Sequence, residues 1–243
     1  MPSAIIFGAT GATGKYLLRN LLATKEFTKV GEYGRRVTAL DTLPEEEGID
    51  KTKLVQKVVD MERLENEQDL KQDWDVVFIV LGTSRAAAGS AEAFEKIDRE
   101  YVLSAARAIK TNGNQRLVYL SSAGANRDSK FLYMRSKGLT EDGLAALGYK
   151  DTIIFRPAAL TERGKGGVGE HIWEGFLRSV PFINDKIQIK VSELAKAIVR
   201  GGLLGSNGLP ANAEAKEIDA KGNKFTLIDN IGCLRLASGF KAS

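Results

Sequence analysis

The sequence predicts an α/β fold in which a doubly wound, mostly parallel sheet carries helices on both faces. Short apolar runs alternate with amphipathic segments along the chain, and the connections between them are short. One run, "VVFIVLG" at 76–82, is apolar throughout, as expected for a strand that is covered on both faces. A chain of 243 residues is long enough to build one such domain over 1–243.

The first part of the chain predicts three strands and two helices. "AIIFGA" at 4–9 is a strand, and a helix follows it over about 13–24, where leucines recur at helical spacing. "KVGEYGRR" at 29–36 and "KLVQKVVDM" at 53–61 are the next two strands. We interpret the charged stretch 61–73 as a solvated helix.

The rest of the chain continues the alternation. The strand "DVVFIVLGT" leads into a long helix over about 91–110, and the strand "QRLVYLSSAG" follows. A helix over about 132–147 then precedes the strand "DTIIFRP". After the glycine-rich loop 161–170, which is either a lid over a ligand or an ordinary loop, "KIQIKVSELAKAIVRGGLLG" predicts a short strand and a helix. The residues after 205 show no clear pattern.

Composition excludes several classes of function. The net charge is only +4 and the chain has no long basic run, so we expect no nucleic-acid partner. A single cysteine, Cys233, allows no internal disulfide and suits a reducing compartment such as the cytoplasm. The single histidine, His171, cannot build a zinc site, so we expect no metal. No apolar run approaches the roughly 20 residues that span a bilayer, which leaves only peripheral membrane contact.

The loop "GATGATG" at 8–14 predicts a binding site for a dinucleotide. A triphosphate-binding loop requires G-x-x-x-x-G-K-[ST], but aligned on "GK" at 14–15 that pattern places Ala9 at the first glycine position and Tyr16 at the hydroxyl position. The three glycines instead lie directly after a strand and before an amphipathic helix, as in the Rossmann fold. There the helix N-terminus faces the pyrophosphate. The alternative is a tight strand–helix turn without a ligand.

The end of the second strand predicts which dinucleotide binds. An acidic residue there would bind the ribose 2'-hydroxyl of NAD, whereas this chain has Arg35 and Arg36. Two guanidinium groups suit a 2'-phosphate, because they pair with it by charge and by bidentate hydrogen bonds. NADPH is therefore the predicted cofactor. The alternative is a solvated basic turn.

Candidate catalytic residues follow the fifth strand, at the sheet edge where a doubly wound fold binds its ligand. Ser121 and Ser122 end that strand, and Tyr133 and Lys137 lie four residues apart on the next helix. Residues i and i+4 share a helix face. An ammonium beside a phenol can lower the phenol's pKa from about 10 toward neutral pH. Such a phenol can give a proton to a carbonyl oxygen, and a serine hydroxyl can hold the same oxygen.

Taken together, the motifs "GATGATG", "GRR", "LGT", "SSAGA" and "YMRSKG" resemble those of the atypical short-chain dehydrogenases/reductases, in the same order. Longer strings, such as "YLSSAGANRDSKFLYMRSKG" and "IIFRPAALTERG", are similar to the family of the human Tat-interacting tumour-suppressor protein. They are most similar to its fungal mitochondrial branch, whose members are peripheral proteins of the outer membrane. Two positions depart from the wider superfamily: Asp98 replaces the asparagine of its extended members, and the catalytic serine position falls on Ser122 or Ala123.

The resemblance implies an NADPH-dependent oxidoreductase acting on a carbonyl or alcohol, with Tyr133 as acid/base, Lys137 also bonding the nicotinamide ribose and Ser122 holding the substrate oxygen. The expected cofactor-binding residues, from the motifs and the resemblance together, are Gly8, Thr10, Gly11, Ala12, Thr13, Gly14, Arg35, Arg36, Leu81, Gly82, Thr83, Ser121, Tyr133 and Lys137. Asp60 is either an acceptor for the adenine amine or a helix N-cap. The substrate side is expected at about 157–243.

A second hypothesis is a non-catalytic NADPH sensor that regulates a protein partner. In that case the Tyr–Lys pair would only hold the nicotinamide ribose. The departures at the serine and asparagine positions favour this hypothesis, and the intact pair of Tyr133 and Lys137 favours the enzyme. Location on the mitochondrial outer membrane is implied by the resemblance alone.

Overall fold

An eight-stranded sheet forms the centre of the computed structural model, which describes residues 1–42, 48–67, 70, 72–111, 113–162 and 188–240. Along the sheet the strand order is β3-β2-β1-β4-β5-β6-β10-β9. All neighbouring strands are parallel except β10 and β9, which are antiparallel. The strands of this sheet are β1 (Ser3–Phe7), β2 (Lys29–Gly34), β3 (Leu54–Val58), β4 (Val76–Ile79), β5 (Arg116–Leu120), β6 (Asp151–Arg156), β9 (Lys216–Ala220) and β10 (Asn223–Asp229). A separate parallel pair joins β7 (Ala159–Thr161) and β8 (Gln188–Lys190).

Helices cover both faces of the sheet and confirm the predicted fold class. The helices are α1 (Ala12–Ala23), α2 (Arg85–Ala88), α3 (Ala91–Glu95), α4 (Tyr101–Ile109), α5 (Leu132–Ala146), α6 (Val191–Leu204) and α7 (Asn230–Ser238). The five residues Lys96–Glu100 between α3 and α4 form a π-helical segment. The predicted long helix over 91–110 is therefore present as three consecutive helical segments. No helix within the described ranges is long and apolar enough to cross a bilayer.

Alternate residues of each central strand enter two separate cores. Ile6 and Phe78 pack on one face with the leucine stripe of α1 and with apolar residues of α6 and α7. Ile5 and Val77 pack on the other face with α4 and α5. This alternation is the period-two pattern of a strand that is buried on both sides. Cys233 of α7 is completely buried in the first core.

The interpretation of 61–73 as a solvated helix is wrong. Among the described residues of that stretch, Leu64–Asn66 form a 3-10 turn, residue 70 is also in a 3-10 conformation, and none is α-helical. Met61, Leu64 and Leu70 are buried in the second core, and so is Trp74 just beyond them. Their irregular spacing fits no single helix face. The predicted loop 161–170 lies outside the described residues from 163 onward.

At one position in the sheet, the connections that follow two neighbouring strands run toward opposite edges of the sheet. Strands β2 and β3 lie on one side of β1, and β4 to β6 lie on the other side. The loops that leave the carboxyl ends of β1 and β4 therefore diverge, which opens a crevice between them. In open α/β sheets ligands bind at this crevice.

Candidate functional site

A cavity of about 470 Å³ lies in the crevice between β1 and β4. Its walls come from four regions: the β1–α1 loop, the segment after β4, the π-helical segment, and the face of α5 with the strand ends beside it. The sequence-predicted residues that line it are Gly11, Ala12, Thr13, Leu81, Gly82, Thr83, Ser121, Tyr133 and Lys137. Most of the residues predicted from separate motifs thus share one cavity.

Glycines shape the floor of this cavity because the backbone leaves no room for side chains. Gly8 has a φ of +96°, which an L side chain rarely adopts. A Cβ on Gly8 would also lie 2.9 Å from the Val80 carbonyl oxygen. A Cβ on Gly14 would lie only 2.0 Å from the Gly8 carbonyl oxygen, so glycine lets α1 pack directly on the loop. Gly8 and Gly14 form the turn beneath the cavity without lining it.

The N-terminus of α1 opens into the cavity without a side-chain cap. Gly11 is the N-cap residue and has no side chain to accept a hydrogen bond from the first turn. The Gly11 carbonyl accepts the Lys15 N–H at 3.1 Å, which leaves the N–H groups of the first turn directed out of the helix end. The first turn also carries no acidic residue. These N–H groups and the positive end of the helix dipole suit an anion such as a pyrophosphate.

The end of β2 presents positive charge, and the carboxylate of Glu32 on that strand is already engaged in hydrogen bonds. Glu32 is buried and accepts hydrogen bonds from the N–H and hydroxyl of Thr38 at 2.8 and 2.7 Å and from the Gln56 amide at 2.7 Å. Arg35 and Arg36 follow the strand and are exposed. Glu32 is therefore not available to bind a ribose hydroxyl.

Asp60 stands beyond the end of β3 and is exposed. Its carboxylate accepts a hydrogen bond from the Glu62 N–H at 2.9 Å. Asp60 therefore caps a turn, and the interpretation as a helix N-cap is wrong because no helix begins at the residue after it. Asp60, Arg35 and Arg36 lie outside the walls of the cavity, as do Thr10 and Ser122.

Helix α5 places Tyr133 and Lys137 on the same wall of the cavity, one turn apart. The Tyr133 ring packs against the Phe94 ring with centroids 6.0 Å apart. The Lys137 ammonium nitrogen lies 6.0 Å from the centroid of the Tyr133 ring. The aromatic contact with α3 fixes the direction in which the phenol points.

Lys137 is nearly fully buried and has two closer partners than Tyr133. Its ammonium donates to the Tyr119 hydroxyl at 3.1 Å and forms an ion pair with Asp98 at 2.9 Å. Burial alone would lower the pKa of Lys137, but the Asp98 carboxylate and then the two tyrosines raise that pKa well above its usual value. Burial likewise raises the pKa of Tyr119 well above its usual value. Lys137 is therefore a permanent cation in the folded protein at neutral pH.

The π-helical segment brings Asp98 into contact with Lys137. Asp98 is completely buried and lies in the middle of the segment Lys96–Glu100. A π turn holds one more residue than an α turn, so it changes which side chains face inward, and such segments often occur at functional sites. The resemblance drew attention to Asp98 by its departure from asparagine, but only the fold shows that its carboxylate pairs with Lys137.

The two serines after β5 occupy different surroundings. Ser121 lines the cavity, but its hydroxyl donates to the Glu141 carboxylate, which also pairs with Arg156. Its single proton is thus committed. Ser122 is buried and donates a long hydrogen bond of 3.3 Å to the Ala123 carbonyl. Of the two hydroxyls, that of Ser122 is the freer to rotate.

Three other side chains lie in the site or beside it. For Arg85 the sequence left two interpretations, a contact with the cofactor and a surface arginine, and favoured the second; the residue is exposed and lines the rim of the cavity at the start of α2. Leu160 of β7 lines the far side. Glu141 lies one turn beyond Lys137 on the same face of α5. The sequence shows an acidic residue at this helical spacing but does not reveal that it is buried.

Comparison with known proteins agrees with this geometry. A family model described as NAD(P)H-binding matches residues 8–200. Protein HTATIP2 of Rattus norvegicus is 38% identical over 180 residues, which cover 74% of this chain and 72% of that protein. The mitochondrial protein FMP52 of Candida glabrata is 30% identical over 98% of this chain and 97% of its own length. The resemblance inferred from the sequence motifs is confirmed.

Solved structures share the fold at low sequence identity. The enzyme WbmF of Bordetella bronchiseptica, solved in complex with NAD+, has a TM-score of 0.59 and 13% identity over 98% of this chain and 76% of that one. An oxidoreductase of the short-chain dehydrogenase/reductase family from Burkholderia thailandensis has a TM-score of 0.58 and 16% identity over 83% and 86% of the two chains. From the matched family model and the relatives together, the chain belongs to the NAD(P)H-binding family and, within it, to the group of HTATIP2 and the fungal FMP52 proteins.

Proposed function

We propose that this protein is an NADPH-dependent oxidoreductase of the short-chain dehydrogenase/reductase type that acts on a carbonyl or alcohol. The observation that carries the proposal is that one cavity contains both the uncapped N-terminus of α1 and the pair Tyr133 and Lys137. The first element suits the phosphates of a dinucleotide, and the second suits proton transfer to an oxygen. In a dehydrogenase the bound cofactor and the residue that transfers the proton must lie close together, because both act on the same substrate.

The residues present fit a dinucleotide. Glycine at positions 8 and 14 keeps the turn close to the backbone of Val80 and to α1, and the uncapped first turn of α1 lines the cavity through Ala12 and Thr13. Ala12 and Thr13 would bind the pyrophosphate through their N–H groups, with Thr10 beside them. Leu81, Gly82 and Thr83 would line the path toward Lys137. Asp60 would lie near the adenine.

The chemistry assigned to the chain is a proton transfer at Tyr133. NADPH, when bound, supplies the hydride for a carbonyl carbon. The Tyr133 hydroxyl gives its proton to the carbonyl oxygen in reduction and takes one back in alcohol oxidation. Lys137 stays charged and would donate hydrogen bonds to the nicotinamide ribose. Because the Ser121 proton is donated to Glu141, we assign the hydrogen bond to the substrate oxygen to Ser122, which lies next to Ser121 in the chain.

The preference for NADPH over NADH is assigned to Arg35 and Arg36. Because Glu32 is buried and already accepts three hydrogen bonds, a ribose 2'-hydroxyl finds no carboxylate there. Two exposed guanidinium groups suit a 2'-phosphate. We place the substrate side at about 157–243, where Leu160 already lines the cavity.

Titration of NADPH and NADH against the native chain and the double variant Arg35→Ala/Arg36→Ala tests the proposal. We expect NADPH to bind at least about tenfold more tightly than NADH to the native chain, and the preference to vanish in the variant. A matched control is Arg107→Ala/Lys224→Ala, which removes two surface cations elsewhere and is expected to keep the preference. Failure of both nucleotides to bind would overturn the cofactor assignment and the chemistry with it.

The second candidate is a non-catalytic NADPH sensor. The observation in its favour is that the ammonium of Lys137 contacts Asp98 and Tyr119 rather than the Tyr133 hydroxyl. A sensor would bind NADPH tightly, would not oxidise it when carbonyl compounds are offered, and would bind a protein partner in a cofactor-dependent way. A carbonyl screen with NADPH consumption as the readout separates the two candidates.

We further propose that the protein is peripheral on the mitochondrial outer membrane. Fungal relatives such as FMP52 of Candida glabrata are named mitochondrial, and the fungal branch that the motifs resemble is peripheral on that membrane. The test is fractionation of cells followed by alkaline carbonate extraction and protease treatment of intact mitochondria. A peripheral protein is released by carbonate and is digested from outside, whereas recovery only in the cytoplasmic fraction would overturn the assignment.

A further inference from the structure

We infer that Asp98 and Lys137 act as a balanced pair of charges that sets the relative affinity of this protein for oxidised and reduced cofactor. The inference rests on the proposed function, since it concerns the nicotinamide end of the bound dinucleotide. In it, Lys137 binds the ribose and Asp98 is a positioning residue that neutralises the lysine. The residue that departs from the wider superfamily thereby acquires a specific role.

The pair faces the cavity at one point of its wall. Asp98, Lys137 and Gly82 all line the cavity. A Cβ built on Gly82 would lie 3.5 Å from Asp98 Oδ1 and 3.7 Å from Lys137 Nζ. Glycine at this position therefore places no side chain between the cavity and the charged pair.

The carboxylate is committed to this lysine. Its distance to Lys137 is 2.9 Å, and the side chains are 0% and 5% exposed. Asp98 Oδ2 has no hydrogen-bond donor within the described part of the chain. The phenol groups of Tyr119 and Tyr133 also face Lys137. The charge at this wall is thus the sum of one ammonium and one carboxylate.

The net charge of the cavity wall changes the affinity for the oxidised cofactor more than the affinity for the reduced cofactor. The nicotinamide ring is positively charged when oxidised and neutral when reduced. An unpaired ammonium would repel the oxidised ring, and at an effective dielectric constant near 20 a unit charge about 10 Å away weakens binding roughly tenfold. Asp98 cancels that repulsion. The native protein should therefore bind NADP+ and NADPH with similar affinity.

The test measures the ratio of dissociation constants, NADP+ over NADPH, at pH 6 and at pH 8.5. Asp98→Asn leaves a net positive wall and is expected to raise the ratio roughly tenfold at pH 6. Lys137→Met leaves a carboxylate and is expected to lower the ratio. The double variant Asp98→Asn/Lys137→Met is neutral and is expected to return the ratio to within about twofold of native, even if both affinities fall.

A matched control is Glu100→Gln, which removes one carboxylate from the same π-helical segment at an exposed position. Its ratio should stay native because water and salt screen the lost charge. Single variants whose ratios stay within twofold of native at both pH values, or that move in the same direction, would overturn the inference. If the native chain binds neither form of the cofactor, the proposed function fails first. If it binds both and only the ratios fail to respond, the proposed function stands and this inference alone is wrong.

Discussion

Asp98 Oδ1 and Lys137 Nζ lie 2.9 Å apart and connect the π-helical segment to α5 in the interior of the protein. A buried ion pair adds little net stability when it replaces well-packed apolar groups, but removing one partner leaves an uncompensated charge that costs about 3–5 kcal/mol. The pair therefore links the stability of the fold to the protonation of a residue in the candidate site. This link gives a direct test.

Replacing Asp98 with asparagine is expected to make stability depend on pH between about 6 and 9. In the native protein the folded pKa of Lys137 is raised above the unfolded value of about 10.4. Its contribution is therefore complete below pH 10 and is lost only at higher pH. In Asp98→Asn, burial without a counter-ion lowers the folded pKa of Lys137, so unfolded chains bind more protons and stability rises with pH. Urea denaturation at pH 6 and pH 9 measures the two slopes.

The control for this measurement is Glu100→Gln, whose stability should follow the pH profile of the native protein. Keeping the pH below 9.5 avoids ionisation of Tyr119 in the unfolded chain, which would lower stability in every variant. A native-like, flat profile for Asp98→Asn would show that Lys137 keeps its proton in the folded variant, and it would contradict the expected fall of its pKa.

Replacing Tyr133 with phenylalanine is expected to abolish turnover while retaining most cofactor affinity. The ring keeps its contact with Phe94, so only the hydroxyl is lost. Loss of a general acid typically costs about 10²–10⁴-fold in rate. Stopped-flow or steady-state consumption of NADPH with a carbonyl substrate gives the rate, and fluorescence titration gives the affinity.

Tyr101→Phe is the matched control, because it also removes one phenolic hydroxyl, one that donates to Glu62 at the surface. Its rate and affinity should be native. Equal rates of turnover for Tyr133→Phe and the native chain would exclude proton transfer by Tyr133. Absence of turnover in both, with partner binding unchanged in Tyr133→Phe, would support the sensor hypothesis.

Alanine at Gly14 is expected to destabilise the protein by at least about 2 kcal/mol. The new Cβ would lie 2.0 Å from the Gly8 carbonyl oxygen, which is a backbone atom, so the clash is relieved only by moving α1 away from the loop. Gly113→Ala serves as the control, since a Cβ there meets only the Thr111 hydroxyl at 3.4 Å. The midpoints of urea denaturation give the comparison, and equal midpoints would mean that the turn is looser than described.

Alanine at Glu141 is expected to cost about 3–5 kcal/mol, because it leaves the Arg156 guanidinium and the Ser121 hydroxyl without their shared acceptor. Glu141 is buried, unlike Glu217, whose exposed pair with Lys224 should contribute at most about 1 kcal/mol. Thermal or urea denaturation of Glu141→Ala and Glu217→Ala measures the difference. Losses of similar size in both variants would contradict the expectation.

The parallel sheet and its main helices were predictable because their signals are local. A strand buried on both faces, such as β4, is an uninterrupted apolar run, and a helix on its surface, such as α1, repeats leucines at helical spacing. The glycine loop between β1 and α1 was predictable for the same reason, since its spacing and its flanking elements lie within one short stretch.

The remaining features depend on contacts between distant parts of the chain. Met61 and Trp74 are buried because they pack in the second core against one face of the sheet, which no local periodicity records. The π turn at Asp98 is maintained in a fold where Lys137 offers a buried counter-charge, and sequence spacing does not reveal that pairing. The different states of Ser121 and Ser122 arise from Glu141 on another element. These interactions decide the details of the candidate site, whereas its location follows from the sheet.

Because Cys233 is completely buried, its reaction with an added thiol reagent can report when the C-terminal helix α7 opens. Burial raises the pKa of its thiol, so a thiol-specific dye reacts only with molecules in which α7 has lifted from the core. Since the chain has a single cysteine, the labelling rate of the unmodified protein reports one event. Comparing that rate with and without nucleotide would reveal whether the far end of the sheet tightens when the crevice is filled.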